Sequence, residues 1–308
     1  MTLQQMEYIV ALNKYRHFVL AAESCGITQP TLSAMIHKLE DELEVKIFDR
    51  NNKSVHPTQI GEKIIQQAQT IINEMHRVKE VIADETGTMK GTLKIGIVPT
   101  VAPYIVPDFI YQFRKNFSGV NLYIDEMKLK VMQEDLRLGN IDVAIGIGPW
   151  NNPDILEIPL FTEKFVLYFS EECNKKVEKF KPEMLTSEHM WILKEGHCIK
   201  DAAFSFCKSR AMGQHVYEAG SIDTLIKIVD KNGGYTIIPE LHKNFLTEEQ
   251  LTHVRPIEGV TATQRNISMF IKSDYIRERM LNAIADTVKA IIPEEMVDEH
   301  LLKFGVKL

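Results

Sequence analysis

Cysteine is scarce in this chain, with 4 in 308 residues, and tryptophan is scarcer at 2. Four cysteines cannot staple a chain of this length, which excludes the disulfide scaffold of small secreted domains. Positive charge is in deficit too: 36 Lys and Arg stand against 42 Asp and Glu, a net charge of −6. No global basic field therefore advertises nucleic acid or membrane as a partner. No apolar run approaches the ~18 residues that a membrane span needs. The opening residues "MTLQQMEYIVALNKYRHF" lack the basic start, apolar core and small-residue cleavage site of a signal peptide, which predicts a cytosolic protein. In that compartment a lasting disulfide is disfavoured, and the glycosylation-like triplets at Asn52 and Asn116 are chance matches. Walker loops, GxGxxG, HExxH and GxSxG are all missing, and with them the usual enzyme signatures. What remains is an ordinary globular composition, 44% hydrophobic and 25% charged. Its length points to two or three folding units.

The first 58 residues read as three short helices and a wing. "TLQQ" at 2–5 is a capping box, and Leu3, Met6, Ile9, Val10 and Leu12 follow as one apolar face. "HFVLAAESCG" is a second helix, ended by Gly26. A third opens at "ITQPTLS", with Thr28 as its cap and Pro30 tolerated in the first turn. Leu32, Ile36, Leu39 and Leu43 make one buried stripe on it. Gln29, Thr31, Ser33, Ala34, His37 and Lys38 are left facing out. Helix, glycine turn and helix with a small, polar outer face is the helix-turn-helix arrangement. Small residues let the backbone approach base edges, and the polar ones supply hydrogen bonds. "VKIFDRNNKSVHPTQIG" follows as a β-wing, placing Arg50 and Lys53 near phosphates. Residues 1–58 hold six Lys and Arg against seven Asp and Glu, but four of the acids lie in "EDELE", at the far end of the third helix. A helical core with no nucleic-acid role remains open at this point.

"AAESCGITQPTLSAMIHKLEDELEVKIFDR" and the later "TQIGE" resemble the winged helix-turn-helix of LysR-type transcriptional regulators. The alanine pair, "TQPTLS", "KLEDEL", "FDR" and T-x-x-G fall in order and at family spacing. Length and layout extend the resemblance to the whole chain. From Ile60, apolar residues recur at Ile64, Ala68, Ile71, Met75, Val78 and Ile82, close to a heptad seam on one helix. Such a seam needs cover, from its own chain or from another; the resemblance implies that it pairs two subunits. "DETGTMKG" breaks the helix and reads as a hinge.

Beyond it, strand and helix patterns alternate: "TLKIGIV", "YIVPDFIYQFRKNF", "GVNLYIDEM", "VMQEDLRLGN" and "IDVAIGIG", then "HMWILK", "IDTLIKIVDKNGG", "YTIIP", "ISMFIKSD" and a final amphipathic helix. Alternation of this kind predicts βαβ units on a parallel sheet. The resemblance implies an α/β multidomain protein. The winged helix-turn-helix would take 1–58, the linker helix 59–86, a hinge 87–91, and a two-lobed, periplasmic-binding-protein-like effector domain 92–308. Lobe I would take about 92–162 and 265–300, and lobe II about 163–264. A ligand cleft is expected between the lobes, beside Thr100 at the end of the first strand.

Two cysteines share the stretch "EGHCIKDAAFSFCKS", Cys198 and Cys207, with His197 before the first. Buried packing, a metal site, a static disulfide and a redox switch all compete. A metal would find three ligands at most. A switch needs a thiolate, and "GHCIKD" offers a turn at Gly196, a helix start at Cys198 and cationic or hydrogen-bonding groups at His197 and Lys200. If 198–207 is helical, the two lie roughly 13 Å apart along its axis, whereas a disulfide needs Cα atoms within about 7 Å. Bonding them would unwind the segment.

The pattern "EGHC…D…FC", with "VPTVAPY" at 98–104 and "TLIKIV" farther on, is similar to the hydrogen-peroxide-sensing members of the LysR family. The resemblance implies that Cys198 is the peroxidatic cysteine and Cys207 the resolving one. Thr100, His197, Lys200, Asp201 and Arg265 then fall in or around the peroxide pocket. Two positions depart: Leu129 stands where a pocket threonine is expected, and Lys200 where an arginine is. Promoter DNA, hydrogen peroxide, further copies of the chain in a dimer or tetramer, a thiol reductant and RNA polymerase are the implied partners. No cofactor, metal, membrane or catalytic residue is expected. The rival expectations are a LysR-type regulator of a small metabolite, with incidental cysteines, and a thiol peroxidase.

Overall fold

The computed structural model describes residues 1–49, 55–85, 89–176, 190–191, 221–257 and 264–307. The chain forms two compact units, Met1–Gly87 and, apart from Arg137–Asn140, Thr88–Leu308.

In the first unit α1 (Leu3–Tyr15) starts with the capping box: the Thr2 side chain accepts from the Gln5 N–H, and the Gln5 side chain accepts from the Thr2 N–H. It buries Met6, Tyr8, Ile9 and Leu12. α2 (Phe18–Ser24) ends before Gly26, whose φ of 68° turns the chain into α3 (Gln29–Leu43). That left-handed angle is why the position suits glycine. Thr28 stands at the cap position of α3, but its hydroxyl bonds Thr31 Oγ1 at 2.8 Å and caps no backbone N–H. The expected side-chain cap is therefore not made, because a nearer hydroxyl competes for it. Leu32, Ile36 and Leu39 are buried and Leu43 is half-buried.

β1 (Phe48–Asp49) and β2 (His56–Pro57) pair as an antiparallel wing. α4 (Gln59–Glu85) follows at once. The T-x-x-G motif makes this junction. Thr58 Oγ1 donates to the Lys46 carbonyl at 2.7 Å and accepts from the Gly61 N–H at 3.0 Å. A Cβ at position 61 would lie 2.0 Å from the Ile47 carbonyl oxygen, so only glycine fits. Ile65, Ala68 and Ile72 of α4 are buried in the same core as α1 and α3.

The second unit opens with β3 (Gly91–Ile97), α5 (Ala102–Asn116), β4 (Val120–Glu126), α6 (Leu129–Leu138) and β5 (Val143–Ile147). The long β6 (Ile155–Phe169), α7 (Glu171–Lys176), α8 (Ile222–Asn232) and β7 (Tyr235–Pro239) come next. A 3-10 helix (Glu240–Phe245), α9 (Glu248–Leu251), β8 (Val254–Pro256), β9 (Gln264–Lys272), α10 (Glu278–Ile291), a short 3-10 turn (Glu294–Met296) and α11 (Glu299–Lys303) complete the described elements. β3 pairs β4 and β5 in parallel, as βαβ alternation predicts. The rest of the sheet departs from the expectation of a parallel sheet. β9 runs antiparallel to β5 and β6, and β7 and β8 run antiparallel to β6. The difference has a connective cause. β6 and β9 are the outgoing and returning strands between two lobes, and no helical crossover links them, so neither is bound to the parallel sense.

Two hydrophobic cores follow from this path. Leu93, Ile97, Phe109, Phe113, Phe161, Phe270 and Ile284 belong to the first. Phe165, Leu167, Phe169, Leu225, Val229 and Ile238 belong to the second. β6 thus leaves one core at Phe161 and enters the other at Phe165. Glu163 lies between, directly across the ladder from Arg265 on β9.

Candidate functional site

The crossing point carries a buried polar network. Glu163 and Arg265 are 0% and 2% exposed. Arg265 Nε donates to Glu163 Oε2 at 2.8 Å, and Nη2 lies 2.6 Å from the same oxygen. Arg265 Nη1 donates to Thr100 Oγ1 at 3.0 Å and Nη2 to the Thr100 carbonyl at 2.9 Å. Glu163 Oε1 accepts the Leu241 N–H at 3.0 Å, and the guanidinium lies 5.5 Å from the Phe165 ring centre. Every nitrogen of the guanidinium has a partner, as a charge this deeply buried requires. One turn beyond Thr100, Tyr104 Oη lies 3.0 Å from His242 Nδ1. Burial holds the Tyr104 phenol protonated by raising its pKa, against the pull of Arg265. Burial likewise lowers the pKa of His242, only partly offset by Asp223, whose Oδ1 is 3.8 Å from Nε2.

Of the expected peroxide-pocket residues, Thr100 and Arg265 meet directly. His197, Cys198, Lys200, Asp201 and Cys207 lie outside the described residues. Leu129 is half-buried against the first core, where an apolar side chain fits. The sequence reading missed Glu163, Tyr104 and His242. Glu163 did carry a signal, an acid in the short polar break "TEK" between the apolar runs "PLF" and "FVLYF". His242 carried none, because its partner is 138 residues away.

In the first unit, Gln29, Thr31, His37 and Lys38 are exposed on one face of α3 and Ser33 is half-buried. His37 Nδ1 is 3.3 Å from Asp41 Oδ2. Arg50 and Lys53, assigned to phosphates, lie outside the described residues. Glu40 belongs to the acidic run that seemed merely to end α3, yet it is buried. Its Oε1 accepts the N–H groups of Ile47 and Phe48 at 2.8 and 3.1 Å and so starts the wing. On α4 the expected seam is divided. Ile60, Ile71 and Val78 are exposed, Ile64 and Met75 half-buried, and Ala68 is buried in its own unit. The side chain of Ile82 is outside those described. Among the described residues no helix is long and apolar enough to cross a membrane.

Comparison with known proteins agrees with this geometry. Residues 3–62 match the model for bacterial regulatory helix-turn-helix proteins of the lysR family, and residues 86–292 that for the LysR substrate binding domain. The chain is 32% identical to a hydrogen peroxide-inducible genes activator of Haemophilus influenzae, over 95% of this chain and 99% of that protein. It is 35% identical to the dual regulator OxyR of Escherichia coli K12, over 78% of this chain and 80% of that one. A full-length OxyR variant from Pseudomonas aeruginosa superposes with a TM-score of 0.77 at 28% identity, covering 97% of this chain and 98% of its own. A peroxide-bound OxyR variant from Corynebacterium glutamicum gives 0.61 at 25% identity, covering 94% and 92%. The helix-turn-helix with its wing, the two-cored effector unit and these full-length likenesses agree: the chain belongs to the LysR family of DNA-binding transcription regulators and resembles OxyR throughout.

Proposed function

We propose that the chain is a hydrogen peroxide-responsive transcriptional activator of the cytoplasm, switched by a reversible disulfide between Cys198 and Cys207. The observation that carries the reading is the contact of Arg265 with both the hydroxyl and the carbonyl of Thr100. These are the two expected pocket members among the described residues, and they come from points 165 positions apart. The names of the relatives support the same reading. The Cys198 thiolate attacks one peroxide oxygen, the O–O bond breaks, and hydroxide leaves and is protonated to water. The sulfur, oxidised by two electrons, is then a sulfenic acid. The Cys207 thiol displaces its oxygen as a second water and closes the disulfide. A thiol reductant reverses the step.

Helix α3 is assigned to the major groove, with Arg50 and Lys53 on phosphates. The exposed residues Ile60, Ile71 and Val78 on α4 are assigned to a second copy of the chain, with effector units pairing further into a tetramer and the activator meeting RNA polymerase on the promoter. Cys25 and Cys173 are half-buried against hydrophobic cores and have no role in sensing.

The test is peptide mass spectrometry with DNA footprinting, before and after sub-stoichiometric peroxide. Cys207→Ser should accumulate sulfenic acid on Cys198, and Cys198→Ser should leave the footprint unchanged by peroxide. A Cys198→Ser protein whose footprint still shifts, or a disulfide formed elsewhere, would overturn the reading.

A further inference from the structure

Tyr104 is half-buried and packs against both hydrophobic cores of the effector unit. It lies on α5, which packs in the first core, and its hydroxyl reaches His242 on the 3-10 helix that follows β7 of the second core. The rings meet edge to face, with centroids 5.9 Å apart at 84°, and Phe245 closes the other side at 5.6 Å from Tyr104 and 5.7 Å from His242. His242 is 3% exposed.

The surroundings fix the direction of the hydrogen bond. Nε2 of His242 faces the Asp223 carboxylate, which favours a proton on that nitrogen. Nδ1 is then a bare acceptor, and the phenol donates to it. A second proton on the ring would sit on Nδ1, where it would take away the acceptor for the phenol O–H and put a charge on a ring only 3% exposed, which burial disfavours. The charged groups near the ring come from four other elements: Tyr104 on α5, Asp223 on α8, and, farther off through Tyr104, Glu163 on β6 and Arg265 on β9. On its own helix Glu240 and Lys243 pair with each other at 2.7 Å. Asp223 alone favours a charged ring directly, and its side chain is 64% exposed and screened by water.

This contact closes a ring of bonds. Thr100 receives Arg265, Arg265 holds Glu163, Glu163 accepts from Leu241, and the next residue, His242, accepts from Tyr104, one helical turn past Thr100. The path returns to where it began, so the last link fixes the first. We propose that His242 is a positioning residue: uncharged, it holds Tyr104 across the lobe boundary, and with it the start of α5, so that Thr100 stays where Arg265 can reach it. Acid that protonates His242 opens this clasp. That the clasp serves peroxide sensing rests on the function proposed above; the contact itself does not.

The sign follows from burial. The folded pKa of His242 is lowered, so the open state binds more protons than the closed one between that lowered value and the ordinary histidine range. Closure is therefore fully stable above about pH 6.5 and weakens as pH falls below it.

The experiment measures amide exchange of the reduced full-length protein at pH 7.5 and 5.5, corrected for intrinsic exchange chemistry, in peptides covering 100–106 and 240–246. Protection in both should fall at least about threefold at the lower pH. In His242→Asn, whose Oδ1 can still accept the Tyr104 hydroxyl but does not titrate, protection should be the same at both pH values. In Tyr104→Phe it should be low at both. A His242→Asn protein that keeps the full pH dependence overturns the proposal. If that variant does not fold, a Tyr104→Phe protein with the wild-type pH dependence overturns it. Disulfide formation by peroxide is then followed at both pH values. Exchange that behaves as stated in a protein indifferent to peroxide would sink the peroxide reading and leave the clasp standing.

Discussion

The DNA-binding unit and the effector unit each bury a glutamate, and they put it to different uses. Glu40 is 1% exposed and Glu163 is 0%. Glu40 accepts two main-chain N–H groups seven and eight residues away, and Lys46, 3.7 Å from its other oxygen, is largely in water. Glu163 accepts one N–H, 78 residues away, and is neutralised by a guanidinium as buried as itself. The first carboxylate shapes a local turn, joining α3 to the start of the wing. The second belongs to a chain of dependence in which each member's charge or donor is answered only by another member. Buried charge is tolerable in both settings, but in the second, removing the carboxylate strands a buried cation.

The largest expected effect tests that distinction. Glu163→Ala leaves Arg265 buried and uncompensated and should destabilise the effector unit by about 3–5 kcal/mol, read by urea unfolding. The double variant Glu163→Leu with Arg265→Met should recover much of the loss. If the double variant is as unstable as the single one, the pair is not coupled as described. Glu40→Ala should cost less, about 2–3 kcal/mol, since it strands two N–H groups while Lys46 stays hydrated. Its loss should appear in the N-terminal transition alone; a matching loss in the effector unit would erase the contrast. Smallest is Ser33→Ala on α3. It should weaken specific DNA binding by about 1–3 kcal/mol for a lost base contact and leave nonspecific binding unchanged. Equal weakening on random DNA, measured by titration at fixed salt, would reject the assignment of this face to base edges.

The two units also differ in how far the sequence revealed them. Within the first, the decisive relations are short in sequence. The Thr2–Gln5 box, the Leu32, Ile36 and Leu39 stripe and the Thr58–Gly61 junction each span one or two helical turns, and all are visible in order. Glu40 escaped notice because an acidic run at a helix end reads as solvated, and nothing local says that one member turns inward. In the effector unit the elements of the βαβ part were legible from alternation, since each strand and helix announces its own period. The direction of β9 was not, because strand sense is fixed by the path of the whole chain. Thr100 and Arg265 were reached through resemblance to a family. Tyr104 entered only as the last residue of the "VPTVAPY" motif, without a role, and His242 was not reached, since a hydrogen bond spanning 138 residues leaves no mark in either local pattern.

Helix α4 has one further consequence. Its 27 residues amount to about 40 Å of rod. Ile65, Ala68 and Ile72 fasten the near part of that rod to the helices of the helix-turn-helix. Head and rod therefore turn as one lever. A tilt of about 5° about the far end would sweep the near end by about 3.5 Å, close to the 3.4 Å step between base pairs. The head needs no conformational change of its own to lose or gain register with an operator. A few degrees of rotation would be enough.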